Sequence, residues 1–472
     1  MDHRYRCSRR LNRATALSLA ASLMLAGAVA YSGANAANAV DGESGNLTPA
    51  GAERAGNKAG TIPAWEGKDT PAAGWTIDKP RGAFWSHKDE KPLYSIDAAN
   101  VDKYAAQLTP GQIAFIKATK GYRMDVYPTH RNCGAPDWVN ANTRRNATEA
   151  KMAADGVTVE NAVLPGVPFP APKTGAEAMW NYQARYRGMG VTFPSFYTVL
   201  SPRAGSDEWV DANEEMSIYI PWGKKGATTL PQVNHVLSAL YFQYKSPAAL
   251  AGQGAVGVAS FSSASPEVSY YFPGQRRVRR MPTYSYDAPQ IGMENQYTVD
   301  QAFMFAGNLD RFDWKLVGKK EMYVPANAFG MYDFTAGLRD VFQPTHISNT
   351  ARRYELHRVW MVEATVKAGA RHTAPKKTFY FDEDSWLALV SEDYDAQGKL
   401  WKLREGFPIP VWETGSCDLE TFAQYDVVSG RYLADMVTSG TGKGIRWVTD
   451  SSDSRFRLDY YTPESLRARS ER

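Results

Sequence analysis

The chain has 472 residues, 43% of them hydrophobic and 12% aromatic, with three cysteines and a formal charge of +4. Such a length is enough for one large domain or two ordinary ones. Setting aside Arg4, Arg6, Arg9, Arg10, Arg13 and Asp2, all within the first 39 residues, reduces 54 basic and 50 acidic residues to 49 of each. The remainder is neutral, which gives no support for a nucleic-acid partner.

The chain starts with a basic stretch, MDHRYRCSRRLNRA, then an apolar run from Ala14 to Ala30, then the small residues of GANAANAV. This order predicts a signal peptide over residues 1–39, cleaved after Ala36 or Ala39, and hence export to the periplasm. An alanine-rich run this short is a poor membrane anchor. Beyond it stand Cys133 and Cys417, a candidate disulfide closing a loop of 284 residues; two separate thiols are the alternative.

From Val40 to Trp85 the composition is Gly, Ala, Pro, Asn and Lys with no sustained period. Residues 40–90 therefore read as an extended N-terminal arm laid on a surface. In DAANVDKYAAQLTPGQIAFIKA, Val101, Tyr104, Ala105 and Leu108 make one apolar helical stripe. Thr109-Pro110 then caps and starts a second short helix carrying Ile113 and Ile116. TGAEAMWNYQARYRG, containing Trp180, is a third helix candidate, stopped at Gly188.

After about residue 190 the strand pattern dominates: MSIYIPW, EVSYYF, RYELHRVWMVEATVK, KTFYFDEDSWLALVSEDYD, KLWKL and RFRLDYY alternate or run aromatic and β-branched. DAQG is a hairpin turn between two of them. Few helical stretches separate these strands, so the expected fold is mainly β, built on a large antiparallel meander.

Two strands carry charges in unexpected places. Along RYELHRVWMVEATV, one face holds Tyr354, Leu356, Arg358, Trp360, Val362, Ala364 and Val366, so Arg358 is a lone arginine among bulky apolar groups. It must be paired or reach a wet cavity. In RRVRR, alternation sends Arg276, Val278 and Arg280 to one face and Arg277 and Arg279 to the other, so at least two arginines are expected to face inward.

The familiar catalytic patterns fail on context. GQGAVG matches GxGxxG without the strand, helix and acidic residue of a dinucleotide site, and GTGKG lacks parts of a phosphate loop. Seven histidines show no HExxH or tight ligand spacing, and no GxSxG occurs. No metal, cofactor or enzymatic activity is therefore expected. FDEDSW is the best catalytic candidate: Asp382 and Asp384 share one side of an extended segment, as paired carboxylates of a glycan hydrolase or a calcium site would. The competing reading makes Asp382, Glu383 and Asp384 a solvated turn or the partners of arginines. The many strand aromatics fit either an ordinary core or a roomy apolar cavity with arginines at its mouth.

AGTIPAWEG, EKPLYSIDAANVDKYAAQLTPGQ, YRMDVYPTHR, GVPFPAPKTGAEAMWNYQARYRG, YYFPGQRRVRRMP, DRFDWKLVGKKEMYVP and FYFDEDSWLALVSEDYDAQGKLW together resemble an exported bacterial family, domain of unknown function thirteen twenty-nine, from about Gly60 to Trp401. That family is similar to the periplasmic lipoprotein carriers LolA and LolB. The resemblance implies a single domain over residues 91–472 in which a curved antiparallel sheet forms an incomplete barrel, helices cover its open side and a C-terminal extension follows. It also implies an apolar, lipid or acyl-type ligand, and partnership with a resistance-nodulation-division type pump and an outer-membrane protein. On this reading the ligand-binding candidates are Arg276, Arg277, Arg279, Arg280, Arg358 and Trp360 at the rim, Tyr104 and Leu108 on a lid, and Trp180. The rivals are the glycan hydrolase and a non-catalytic structural envelope protein.

Overall fold

The computed structural model describes residues 45–262, 266–282 and 285–471. The N-terminal segment read as a signal peptide lies outside them. Among the described residues no helix is long and apolar enough to cross a membrane.

Two antiparallel meanders dominate. The first comprises β1 (Gly190–Leu200), β2 (Val210–Tyr219), β3 (Val236–Ser246), β4 (Gly254–Ser260), β5 (Glu267–Phe272) and β6 (Arg277–Arg280). The second comprises β7 (Phe312–Pro325), β8 (Tyr354–Val366), β9 (Lys376–Asp382), β10 (Ala388–Tyr394), β11 (Leu400–Gly406), β12 (Phe422–Asp426) and β13 (Tyr432–Val437). They join where β13 pairs with β1, with Ala434 opposite Val199. The result is one continuous sheet that does not close: among the described residues β6 pairs only with β5, and β7 only with β8. It is an incomplete barrel.

Because β6 and β7 are consecutive in sequence yet sit at opposite edges, the chain between them must cross the sheet. Residues 285–309 do so over the inner face. There Gln296 O accepts from Lys402 Nζ (2.9 Å) on β11 and Gln424 Nε2 (2.8 Å) on β12. Gln301 Nε2 donates to Asp393 Oδ2 on β10 at 3.0 Å, and Asp300 pairs with Lys377 (3.3 Å) and His372 (3.0 Å).

The helices divide between the two faces. Helix α1 (Pro110–Ala118) has the expected Thr109 cap, with Gln112 completing a capping box. The stripe before it, Val101–Gln107, is a 3-10 helix rather than an α-helix. Gly111 N donates to Glu392, whereas the neighbouring Asp393 receives Gln301. Successive strand residues face opposite ways, so α1 and the crossing segment lie on opposite faces of the sheet. Helix α3 (Gly175–Gln183), capped by Thr174, packs on the inner side, where Trp180 stacks on Phe261 at 5.6 Å.

Helix α2 (Asp137–Glu149) has no apolar period to announce it. Its buried face is Val139, Asn142, Thr143 and Asn146, and the two asparagines donate to Pro165 O and Val163 O at 2.9 Å each. RFRLDYY, which alternates like a strand, instead forms 3-10 turns at Ser454–Phe456 and Leu458–Tyr461, because Asp453 caps the backbone at Arg455. Helix α4 (Pro463–Ser470) follows and seals the outer face of β3–β5 with Tyr461 and Leu466 against Tyr241, Val256 and Tyr271.

Cys133 and Cys417 are disulfide-bonded, 284 residues apart. Closing so long a loop restricts the unfolded chain strongly. Cys133→Ser paired with Cys417→Ser is therefore expected to lower stability by about 2–5 kcal/mol. Differential scanning calorimetry with and without reductant measures this, and an unchanged midpoint would contradict it.

Candidate functional site

Between the inner face of β1–β5, helix α3 and the crossing segment, the packing leaves two adjoining chambers. The first, about 210 Å³, is lined by Trp180, Ile218, Leu237, Leu240, Val268 and Phe303 among others. The second, about 140 Å³, shares Leu240, Val268 and Phe303 and adds Phe196, Phe242 and Met293. Together they stand at the lower end of small-molecule sites, roughly 300–1,000 Å³. The strands place these side chains by alternation: Leu240, Phe242 and Tyr244 of β3 face the cavity, while Ala239 and Tyr241 face α4. The sheet is solid at its other end, where Phe305 meets Trp314 (5.4 Å) and Phe379 (5.6 Å).

Charges mark both chambers. Arg185 and Arg187 reach the first, already paired with Asp418 (2.9 Å) and Glu420 (2.8 Å). In the second, Glu214 and Asp435 are both 5% exposed. Burial, then the neighbouring Asp435, pushes the Glu214 carboxyl well up, and burial also raises Asp435.

The RRVRR arginines do not face inward as a group. Arg276 sits at φ +49° before the strand starts, and Arg277, Arg279 and Arg280 are all exposed on the edge strand β6. Opposition to Tyr270 and Phe272 puts Arg279 and Arg277 on the cavity side of β6, yet neither lines the cavity. Arg280 pairs with Glu267 at 2.5 Å. Charges on an edge strand hinder pairing with a second sheet. The lid expectation also needs correcting. Leu108 is buried, and Tyr104 stacks on Tyr94 (5.4 Å) on the face opposite the cavity, so neither can cover it. Trp180 alone of the candidates lines a chamber.

Arg358 and the FDEDSW acids form a separate, buried cluster under the N-terminal arm. Arg358 donates to Glu383 (2.6 Å), to Glu53 of the arm (3.1 Å) and to the carbonyl of Ala55 (2.6 Å). Arg131 holds Asp384 with two hydrogen bonds (2.9 and 2.7 Å) and donates to the arm carbonyls of Glu53 (2.6 Å) and Pro63 (3.2 Å). Asp382 receives His357 Nδ1 (3.2 Å) and Ser385 Oγ (2.6 Å), and Lys319 adds a contact to Glu383 at 2.8 Å. Trp360 stacks on Trp386, whose Nε1 donates to Ala50 O of the arm. These arginines fasten the arm; they do not gate the cavity.

Of the three buried acids, Asp384 borders a cleft of about 60 Å³, and all three are held by cationic side chains. That leaves no room for the sugar ring and water a glycosidase needs between its carboxyls. His357, Asp382 and Asp384 have metal-like spacing, as do His87, Glu90 and His130. In both groups protein partners occupy the carboxylates, Arg353 holding Glu90 at 2.6 Å.

The cavity acids escaped notice in the sequence, although one pattern exposes them. In NEEMSIYI, Glu214 shares a face with Met216 and Ile218, an acid on an apolar face as Arg358 is an arginine on one.

A protein-family model described as "Protein of unknown function (DUF1329)" matches residues 95–467. Uncharacterized protein PA3922 of Pseudomonas aeruginosa is 36% identical over 431 residues, covering 89% of this chain and 91% of that protein. Among solved structures, a putative outer membrane lipoprotein-sorting protein domain from Vibrio parahaemolyticus is similar with TM-score 0.42 and 12% identity, over 62% of this chain and 98% of that one. A DUF1329 family protein from Desulfovibrio piger gives TM-score 0.37 and 13% identity, over 58% and 92%. The LolA superfamily protein NE2245 from Nitrosomonas europaea gives 0.33 and 11%, over 61% and 100%.

The arm cluster has a pH signature. Burial disfavours the His357 cation, but the hydrogen bonds it donates to Asp382 and Glu355, with their negative charge, outweigh this and raise the imidazole from 6.5 to about 10. A raised pKa stabilises the fold fully below pH 6.5, and the contribution is lost as pH rises through about 10. The melting-temperature gap between the parent protein and His357→Gln should accordingly shrink between pH 7 and 10. A gap constant over that range would contradict the pairing.

Proposed function

The chain belongs to the DUF1329 family, and from that premise we propose that it is a periplasmic carrier for a hydrophobic, lipid or acyl-type molecule, not an enzyme. The observation that carries this reading is the two-chambered cavity. A sheet whose outer face and far end are packed with bulky side chains keeps a hollow under the crossing segment, lined mainly by apolar groups. Burial of an apolar ligand there, at about 25 cal/mol per Å² removed from water, supplies affinity without any catalytic group.

The basic, apolar and small-residue order of residues 1–39 supports export. The Cys133–Cys417 bond supports an oxidising compartment. In that setting the carrier serves an envelope transport system, passing its cargo between a resistance-nodulation-division type pump and an outer-membrane protein. The rival hydrolase reading loses its acids to Arg131, Arg358 and His357.

Uptake of the neutral fluorophore N-phenyl-1-naphthylamine tests the reading. Leu240→Trp and Val268→Trp, which fill the space shared by both chambers, should weaken uptake roughly tenfold, the equivalent of about 1.4 kcal/mol. Tyr104→Asp, on the opposite face, should leave it unchanged. Equal uptake by the cavity variants and the parent protein would overturn the carrier assignment, as would native mass spectrometry of periplasmic material showing no retained lipid-sized mass.

A further inference from the structure

The polar floor of the second chamber narrows the class of cargo. Thr198 of β1 stands between Glu214 of β2 and Asp435 of β13, its hydroxyl 2.8 Å from Glu214 Oε1 and 2.7 Å from Asp435 Oδ1. A hydroxyl has one hydrogen and can donate to only one of two carboxylates. The other contact is a hydrogen bond only if that carboxyl carries a proton. Asp435 is the better-supported anion, because Tyr297 OH donates to it at 2.6 Å and Met436 N at 2.7 Å. Glu214 is then the proton holder, in keeping with its strongly raised pKa. One shared proton leaves the pair with a single negative charge.

Among the described residues nothing lining this chamber balances that charge: they include no lysine, arginine or histidine. Elsewhere on the inner face, buried acids have cations. Asp393 has Arg404 (2.7 Å) and Lys377 (3.3 Å), and Asp418 has Arg185. A buried charge without a counter-ion is costly, and the site is most stable when something supplies one. Five aromatic side chains, Phe196, Phe242, Tyr244, Tyr297 and Phe303, line the same chamber. Aromatic faces attract ammonium groups, more so where water is excluded.

Taking the cavity as the carrier's ligand site, we propose that its cargo is an amphiphilic amine, the ammonium group seated beside Asp435 and Glu214 and the apolar tail extending past Leu240 and Val268 into the first chamber. A carboxylate headgroup would meet like charge, and an alcohol would leave the charge unbalanced. Cargo selection is then electrostatic at one end and hydrophobic along the rest.

Three probes with the same twelve-carbon tail, dodecylamine, dodecanol and dodecanoate, separate the possibilities when used below micellar concentration to displace N-phenyl-1-naphthylamine at pH 7. Dodecylamine should displace the dye at a concentration roughly tenfold lower than either competitor, one ion-pair's worth of discrimination. In Glu214→Gln combined with Asp435→Asn, which keeps shape and removes the charge, the amine's advantage over dodecanol should vanish. Dodecanoate or dodecanol matching the amine overturns the amine proposal but leaves the carrier standing, and so does an advantage that persists in the double variant. Failure of the protein to take up the dye or any probe overturns both. The ranking in the unaltered protein needs no variant, so misfolding of the double variant, checked by circular dichroism, does not remove the test.

Discussion

The constraint on which the rest depends is the crossing from β6 to β7. A sheet of two meanders joined through β13 and β1 leaves those strands at opposite edges, and 31 residues, Met281 to Arg311, connect them. The chain has to pass over one face. That passage defines which face is inside, leaves the other for α1 and α4, and makes the roof of the cavity. It is held at one end by Asp300 and Gln301 on β9 and β10 and at its centre by Gln296 on β11 and β12. Toward β1–β5 the aromatic packing of Phe305, Trp314 and Phe379 is not repeated, and the hollow remains.

Buried charge is used in two distinct ways. Under the arm, Arg131, Arg358, Lys319 and His357 face Asp382, Glu383, Asp384 and Glu53, and most of these side chains have two or more partners. Removing one member of such a cluster exposes the full desolvation cost of its partner, about 3–5 kcal/mol, which makes the arm an integral layer of the fold. Inside the cavity the balance differs. Glu214 and Asp435 are held by hydroxyls and a backbone amide, with no cation among the described residues of the chamber wall. The arm cluster thus pairs its acids with cations, whereas the acids of the candidate ligand site are left to whatever enters.

Much of the architecture was legible in local pattern. Thr109-Pro110 and Thr174 mark helix starts because a side-chain oxygen is needed where backbone amides lack partners, and both caps form. Alternation along RYELHRVWMVEATV isolated Arg358 as a charge requiring a partner, and Glu383 is that partner at 2.6 Å. Helix α2 was silent because its buried face is made of asparagines satisfied by distant carbonyls. RFRLDYY alternates like a strand, but Asp453 and Thr462 cap turns on either side of it.

What the amino-acid order determined by itself is which segments, RFRLDYY apart, are strands, which residues share a strand face and where two helices begin, because these depend on neighbours within a few positions. Which face is inner, whether a strand is central or at an edge, and which distant residue meets a given charge depend on contacts made across hundreds of residues. RRVRR shows the division: its alternation is local, but its exposure follows from β6 being the last strand of the sheet. Only tertiary structure brings Glu214, Thr198 and Asp435 from three strands to one point, and the charge balance of a cavity exists nowhere but at such a meeting.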